Sequence, residues 1–70
     1  MTPLEGFASN VRRLRLERKW SQDALAHRCS VSVSAIARVE RAAHTPAFMT
    51  IVELARGLGV SPSELWEGVA

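Results

Sequence analysis

Apolar residues recur along the chain at intervals of three and four, and nowhere do they alternate over the length of a strand. Leu4, Phe7, Val11 and Leu14, with Ala8 between them, form one stripe, which predicts helix one over about Glu5 to Arg18. Lys19-Trp20 breaks the stripe. Ser21, a good N-cap, then opens helix two, Gln22 to about Cys29, with Leu25, Ala26 and Cys29 on its inner face. Ser30-Val31-Ser32 is a short connection ending in a second N-cap serine. Helix three follows, Val33 to about Arg41, with Ile36 and Val39 inward. His44-Thr45-Pro46 marks a loop, because the residue before proline is pushed out of the helical region. Helix four spans about Ala47 to Leu58, with Phe48, Ile51, Leu54, Ala55 and Leu58 inside and Gly59 as a left-handed C-cap. Ser61-Pro62-Ser63-Glu64 combines N-cap, N1 proline and N3 glutamate, so helix five runs from Pro62 to about Glu67. The pattern predicts an all-α, five-helix bundle.

Seventy residues without a linker, repeat or low-complexity tract allow one domain, residues 1–70, and one small core. The single cysteine rules out an internal disulfide framework and suits a reducing cytoplasm. No apolar run approaches the roughly 20 residues that span a bilayer. The start, Met1-Thr2-Pro3-Leu4-Glu5, has neither the basic residues nor the apolar stretch of a secretory signal. A cytoplasmic protein with no membrane contact is expected. His27 and His44 have no Cys, Asp or Glu at ligand spacing, so neither a metal nor any other cofactor is expected. No Ser-His-Asp set, Walker motif or glycine-rich phosphate loop appears, and no small-molecule ligand is evident. The residues predict no enzyme.

Charge changes the picture. The net charge is only +2, but Val11 to Arg41 holds eight cations against three anions, a net of +5, and the remainder carries −3. A basic first half and an acidic tail suit a face that binds a polyanion. Helices two and three, joined by so short a connection, form a helix-turn-helix, whose second helix can enter the major groove of DNA. That crossing needs small or apolar residues, which Ala26, Val31, Ile36 and Val39 supply. Val33, Ser34, Ala37, Arg38 and Arg41 then face outward on helix three. Arg38 has the reach and the forked donors to bond guanine O6 and N7.

The run Val11-Arg12-Arg13-Leu14-Arg15, then Ser21-Gln22-Asp23-Ala24-Leu25-Ala26, Val31-Ser32, Ile36, Glu40-Arg41, Pro46 and Leu54-Ala55 resembles the Cro/repressor-type (XRE) helix-turn-helix family. The match covers about Phe7 to Leu65 and is nearest to short restriction–modification controllers and lambdoid phage repressors. The resemblance implies a DNA-binding transcription regulator of a two-fold symmetric operator. It implies that Gln22 holds a phosphate, that Val33, Ser34, Ala37 and Arg38 read bases, and that Arg41, His44 and Thr45 meet the backbone. Arg15 and Glu40 match a family ion pair that is structural. The free N–H groups and dipole at the start of helix two independently favour an anion beside Gln22. Three positions depart from the family: Ser30 and Ala42 stand where glycine is usual, and Ala24 replaces a glutamate. A second class stays open, an antitoxin-type module that binds a protein and DNA only secondarily.

Cys29 is read as a small buried hydrophobe, and Trp20 as a cap on the core beside helix two. Leu65 takes the inner side of helix five and leaves Trp66 and Val69 partly exposed. Met49, Val52, Trp66 and Val69 are the apolar residues that the core does not need. They are therefore expected to form the interface of a homodimer.

Overall fold

The computed structural model describes residues 1–69 and contains four α-helices: α1 (Pro3–Glu17), α2 (Gln22–Cys29), α3 (Val33–Glu40) and α4 (Phe48–Leu58). The stripes read from the sequence meet in one core. Phe7, Val11, Leu25, Ile36, Leu54 and Leu65 are fully buried there, with Trp20, Val31, Ile51 and Val60 packed around them. No strand is present among the described residues. Ala70, the last residue of the expected domain, lies outside them.

Three expectations are corrected. Helix one starts at Pro3, because Thr2 forms a capping box: its hydroxyl accepts from Glu5 N at 3.1 Å, and its own amide donates to Glu5 Oε1 at 2.8 Å. The fifth α-helix is instead a 3₁₀ helix, Pro62–Trp66. Five residues are too few to offset the cost of nucleating α geometry, and short segments close with i→i+3 bonds instead. The Asn10 side chain holds that turn, donating to Leu65 O at 2.8 Å and Glu67 O at 3.0 Å. Phe48, placed inside by its periodicity, is 76% exposed. It is the first residue of α4, and helical side chains tilt toward the N-terminus, so its ring projects past the edge of the core.

All four helices end the same way. A residue just past each helix reverses through left-handed geometry: Ser30 (φ 56°) and Gly59 (φ 73°) directly after α2 and α4, and Lys19 (φ 59°) and Ala42 (φ 55°) one residue further on, after Arg18 and Arg41. The next amide reaches back to a carbonyl in the last turn, as in Trp20 N to Arg15 O, Val31 N to Ala26 O, Ala43 N to Arg38 O and Val60 N to Ala55 O. These are Schellman closures. Three of the residues that follow the reversal, Trp20, Val31 and Val60, pack on the core. Their burial holds Lys19 and Ser30 in a conformation that costs an L-residue about 1 kcal/mol or more.

α2 and α4 touch through backbone. A Cβ added at Gly57 would lie 2.4 Å from Cys29 Sγ and 3.0 Å from the Arg28 carbonyl carbon and oxygen. Only glycine permits that approach, and the approach fixes α2 against the rest of the bundle.

Candidate nucleic-acid interface

The three residues between α2 and α3 set the two helices at a fixed crossing. Ser30 turns the chain through its left-handed geometry, Val31 anchors it on the core, and Ser32 caps α3 by accepting from Ala35 N at 3.1 Å. Ile36 and Val39 are buried beneath α3. The opposite side therefore faces solvent: Val33 is 42% exposed, Ser34 and Arg38 are exposed, and Ala37 is half-buried. Val33, Ser34 and Ala37 have short side chains, so an approaching surface can come close to the α3 backbone, while Arg38 extends beyond it.

The loop after α3 continues this face. Arg41, His44 and Thr45 are all exposed. A groove of about 210 Å³ separates the loop from α3, lined by Arg38, Val39, His44, Thr45, Pro46 and Thr50 among others. It gives the stem of Arg38 a wall to lie along and brings the His44 and Thr45 side chains to the same surface.

Behind the face lies a charged network. Arg15 Nε donates to Glu40 Oε2 at 2.7 Å and Arg15 NH2 donates to Glu40 Oε1 at 3.0 Å, a bidentate pair tying α1 to the end of α3. The two side chains are only 10% and 5% exposed. Arg15 NH1 also donates to the Trp20 carbonyl at 2.9 Å, so the pair reaches the connection into α2. The hydrogen bond to Glu40 holds the Arg15 guanidinium above its ordinary pKa against the opposing effect of burial. A buried arginine with every fork satisfied orders three segments at once.

Gln22 stands at the first turn of α2, half-buried, and its Nε2 donates to Glu40 Oε1 at 3.1 Å. Beside it, Ser21 Oγ accepts from Ala24 N at 3.0 Å and Ser21 O from Leu25 N at 3.0 Å. The amides of Gln22 and Asp23 carry no bond to a protein acceptor among the described residues, and the helix dipole adds partial positive charge there. Arg12, Arg18, Lys19, Arg28, Arg38 and Arg41 form no salt bridge among the described residues, so their charge stays available to a partner.

Sequence reasoning missed three features. The bond from Gln22 to Glu40 is a tertiary contact without a local signal in the sequence. Trp20 also carries cations on its ring, with the Arg28 guanidinium 4.2 Å and that of Arg18 5.8 Å from the centroid. Trp66 is 37% exposed, yet its ring stacks on Phe7 with centroids 4.4 Å apart. Val69 is half-buried, with its side chain against Gly6. After Met1 at the chain start, the most open large apolar groups are Phe48 and Met49, the latter 60% exposed, with Val52 half-buried on the same helix. Among the described residues no group of His, Cys, Asp and Glu could hold a metal, and no helix is long and apolar enough to cross a membrane.

Residues 11–65 match the helix-turn-helix family. No curated protein matches the chain by sequence. Among solved structures, the restriction-modification controller protein C.AhdI from Aeromonas hydrophila superposes with a TM-score of 0.85 at 32% identity, over 89% of this chain and 94% of that one. The hypothetical transcription factor NHTF from Neisseria gives 0.85 at 32% identity, over 90% and 72%. The wild-type restriction-modification controller protein C.Esp1396I gives 0.86 over 99% and 90%, and at 22% identity it speaks for the fold alone.

Proposed function

The chain belongs to the Cro/repressor-type (XRE) helix-turn-helix family of DNA-binding regulators, and on that basis we propose that it binds a two-fold symmetric operator as a cytoplasmic homodimer. The observation that carries this reading is the solvent face of α3: short side chains at Val33, Ser34 and Ala37, then Arg38, which forms no salt bridge among the described residues. These four residues read bases, with Arg38 donating both arms of its fork to a guanine edge. Gln22, Arg41, His44 and Thr45 hold the phosphate backbone and fix the register of α3 in the groove. The likeness to a restriction-modification controller at 32% identity suggests control of such an operon. Nothing favours the protein-binding alternative.

One recognition helix covers only a few base pairs, and a small domain gains stability from association. We place the two-fold contact on α4, where Phe48 and Met49 are open and Val52 is half-buried, together with the exposed edge of Trp66. Val69 contributes less, because it already covers Gly6 of its own chain. The test is a gel shift in which the DNA upstream of the gene competes with random duplex at rising salt. The reading requires a salt-sensitive complex that random duplex displaces poorly. Equal competition by both would remove the operator.

A further inference from the structure

We propose that Glu40 is a positioning residue for DNA binding, holding the amide of Gln22 with its nitrogen inward and one N–H left for a phosphate. This rests on the reading that α2 and α3 dock on DNA, and it assigns to the buried pair a role beyond stability.

The chemistry follows from donors and acceptors. An amide side chain has a donor end and an acceptor end, and a phosphate welcomes only the donor. Left free, Gln22 would rotate and present its carbonyl for part of the time. A carboxylate accepts only, so Glu40 Oε1, 3.1 Å away, can face the Gln22 nitrogen and never its oxygen. Glu40 is itself fixed by two bonds from Arg15, at 2.7 and 3.0 Å, and Arg15 by a third to the Trp20 carbonyl at 2.9 Å. The chain of bonds thus runs from the end of α1 through the end of α3 to the first turn of α2. Gln22 Nε2 keeps one hydrogen beyond the Glu40 bond, next to the unbonded amides of Gln22 and Asp23. One rigid cluster of donors results, and it is assembled before DNA arrives.

The proposal reverses an elementary expectation. Glu40→Gln removes a negative charge from a protein that binds a polyanion, and long-range electrostatics alone would tighten binding. If Glu40 positions Gln22, the same change weakens binding, because a glutamine at 40 can meet Gln22 with either end. The experiment is a double-mutant cycle of wild type, Gln22→Met, Glu40→Gln and the pair, titrated on one duplex and corrected to the folded fraction by circular dichroism.

The expected result is roughly tenfold weaker binding for each single variant, the scale of a lost hydrogen bond to a charged group. The double variant should be no weaker than Gln22→Met alone. A purely structural Glu40 would lower the melting temperature and leave the affinity of folded protein unchanged or higher. That outcome, or an unchanged Gln22→Met, overturns the proposal while DNA binding itself stands. Absence of any complex with wild type would overturn the functional reading instead. Glu40→Asp provides a second variant, since it keeps the charge but withdraws the carboxylate from Gln22, and it should also weaken binding. If neither Glu40 variant folds, the wild type decides by NMR. Adding duplex should protect the Gln22 side-chain amide protons from exchange, and unchanged exchange would refute the contact.

Discussion

Gly57 is the residue at which backbone contact decides stability. Alanine is normally favoured over glycine inside a helix by about 1 kcal/mol. Here the added Cβ would fall 2.4 Å from Cys29 Sγ, and overpacking a closed core costs typically about 1–3 kcal/mol. Gly57→Ala should therefore destabilise, and Cys29→Ala in the same chain should restore part of the loss by removing the sulfur. Thermal melts of the three variants check this; a Gly57→Ala protein more stable than wild type would show that the helices can separate freely. Cys29 itself is pushed up from the ordinary value near 9 to about 11, by burial first and then by the charge of Glu53. A raised thiol pKa favours the folded state below the unfolded value, and that contribution is lost as pH climbs through the folded one. Stability should thus fall between about pH 9 and 11 in part through Cys29, and Cys29→Ala should flatten that portion of the curve. At pH 8.5 or so the folded protein should resist iodoacetamide while the unfolded chain reacts.

At the scale of elements, the helix ends and the pair between α1 and α3 govern the frame that presents α3. Lys19, Ser30 and Ala42 occupy left-handed positions that glycine fills at lower cost, so each change to glycine should add on the order of 1 kcal/mol. For a domain of this size each such gain raises Tm by roughly 4–8 °C. Denaturation melts of the single and triple variants measure it, and no gain at any of the three would mean that the left-handed geometry carries no strain there. Arg15→Ala leaves Glu40 buried without its partner and should cost up to about 3–5 kcal/mol. An unchanged Tm would refute that burial. The helices themselves were legible because the 3.6-residue period, the serine caps at 21 and 32 and the Pro46 and Gly59 signals are all local. What escaped depended on neighbours distant in sequence. Phe48 follows the period but overhangs the core, the Pro62 segment has caps but too few residues for an α-helix, and Lys19 reverses because Trp20 packs on the core. The site divides likewise. The outward set on α3 follows from Ile36 and Val39 being inward, whereas the bond from Gln22 to Glu40 joins residues that only the completed fold brings together.

In the molecule as a whole, the basic half and the open α3 face serve the proposed DNA contact, and the apolar α4 surface the proposed dimer. Phe48→Ser with Met49→Ser should shift the protein toward monomer in sedimentation at micromolar concentration and weaken operator binding without unfolding it. A wild type that is already monomeric there would remove the α4 contact. Arg38→Ala should cost about 1–3 kcal/mol on the preferred site and little on random duplex. Whether α3 reads sequence, two copies at a time, is decided by selecting bound duplexes from a random pool and sequencing them. The expected result is enrichment of a two-fold symmetric site with half-sites about 34 Å apart, and loss of preference at one base pair per half-site with Arg38→Ala. A pool that stays random after repeated selection, or one whose preference ignores Arg38→Ala, would contradict it.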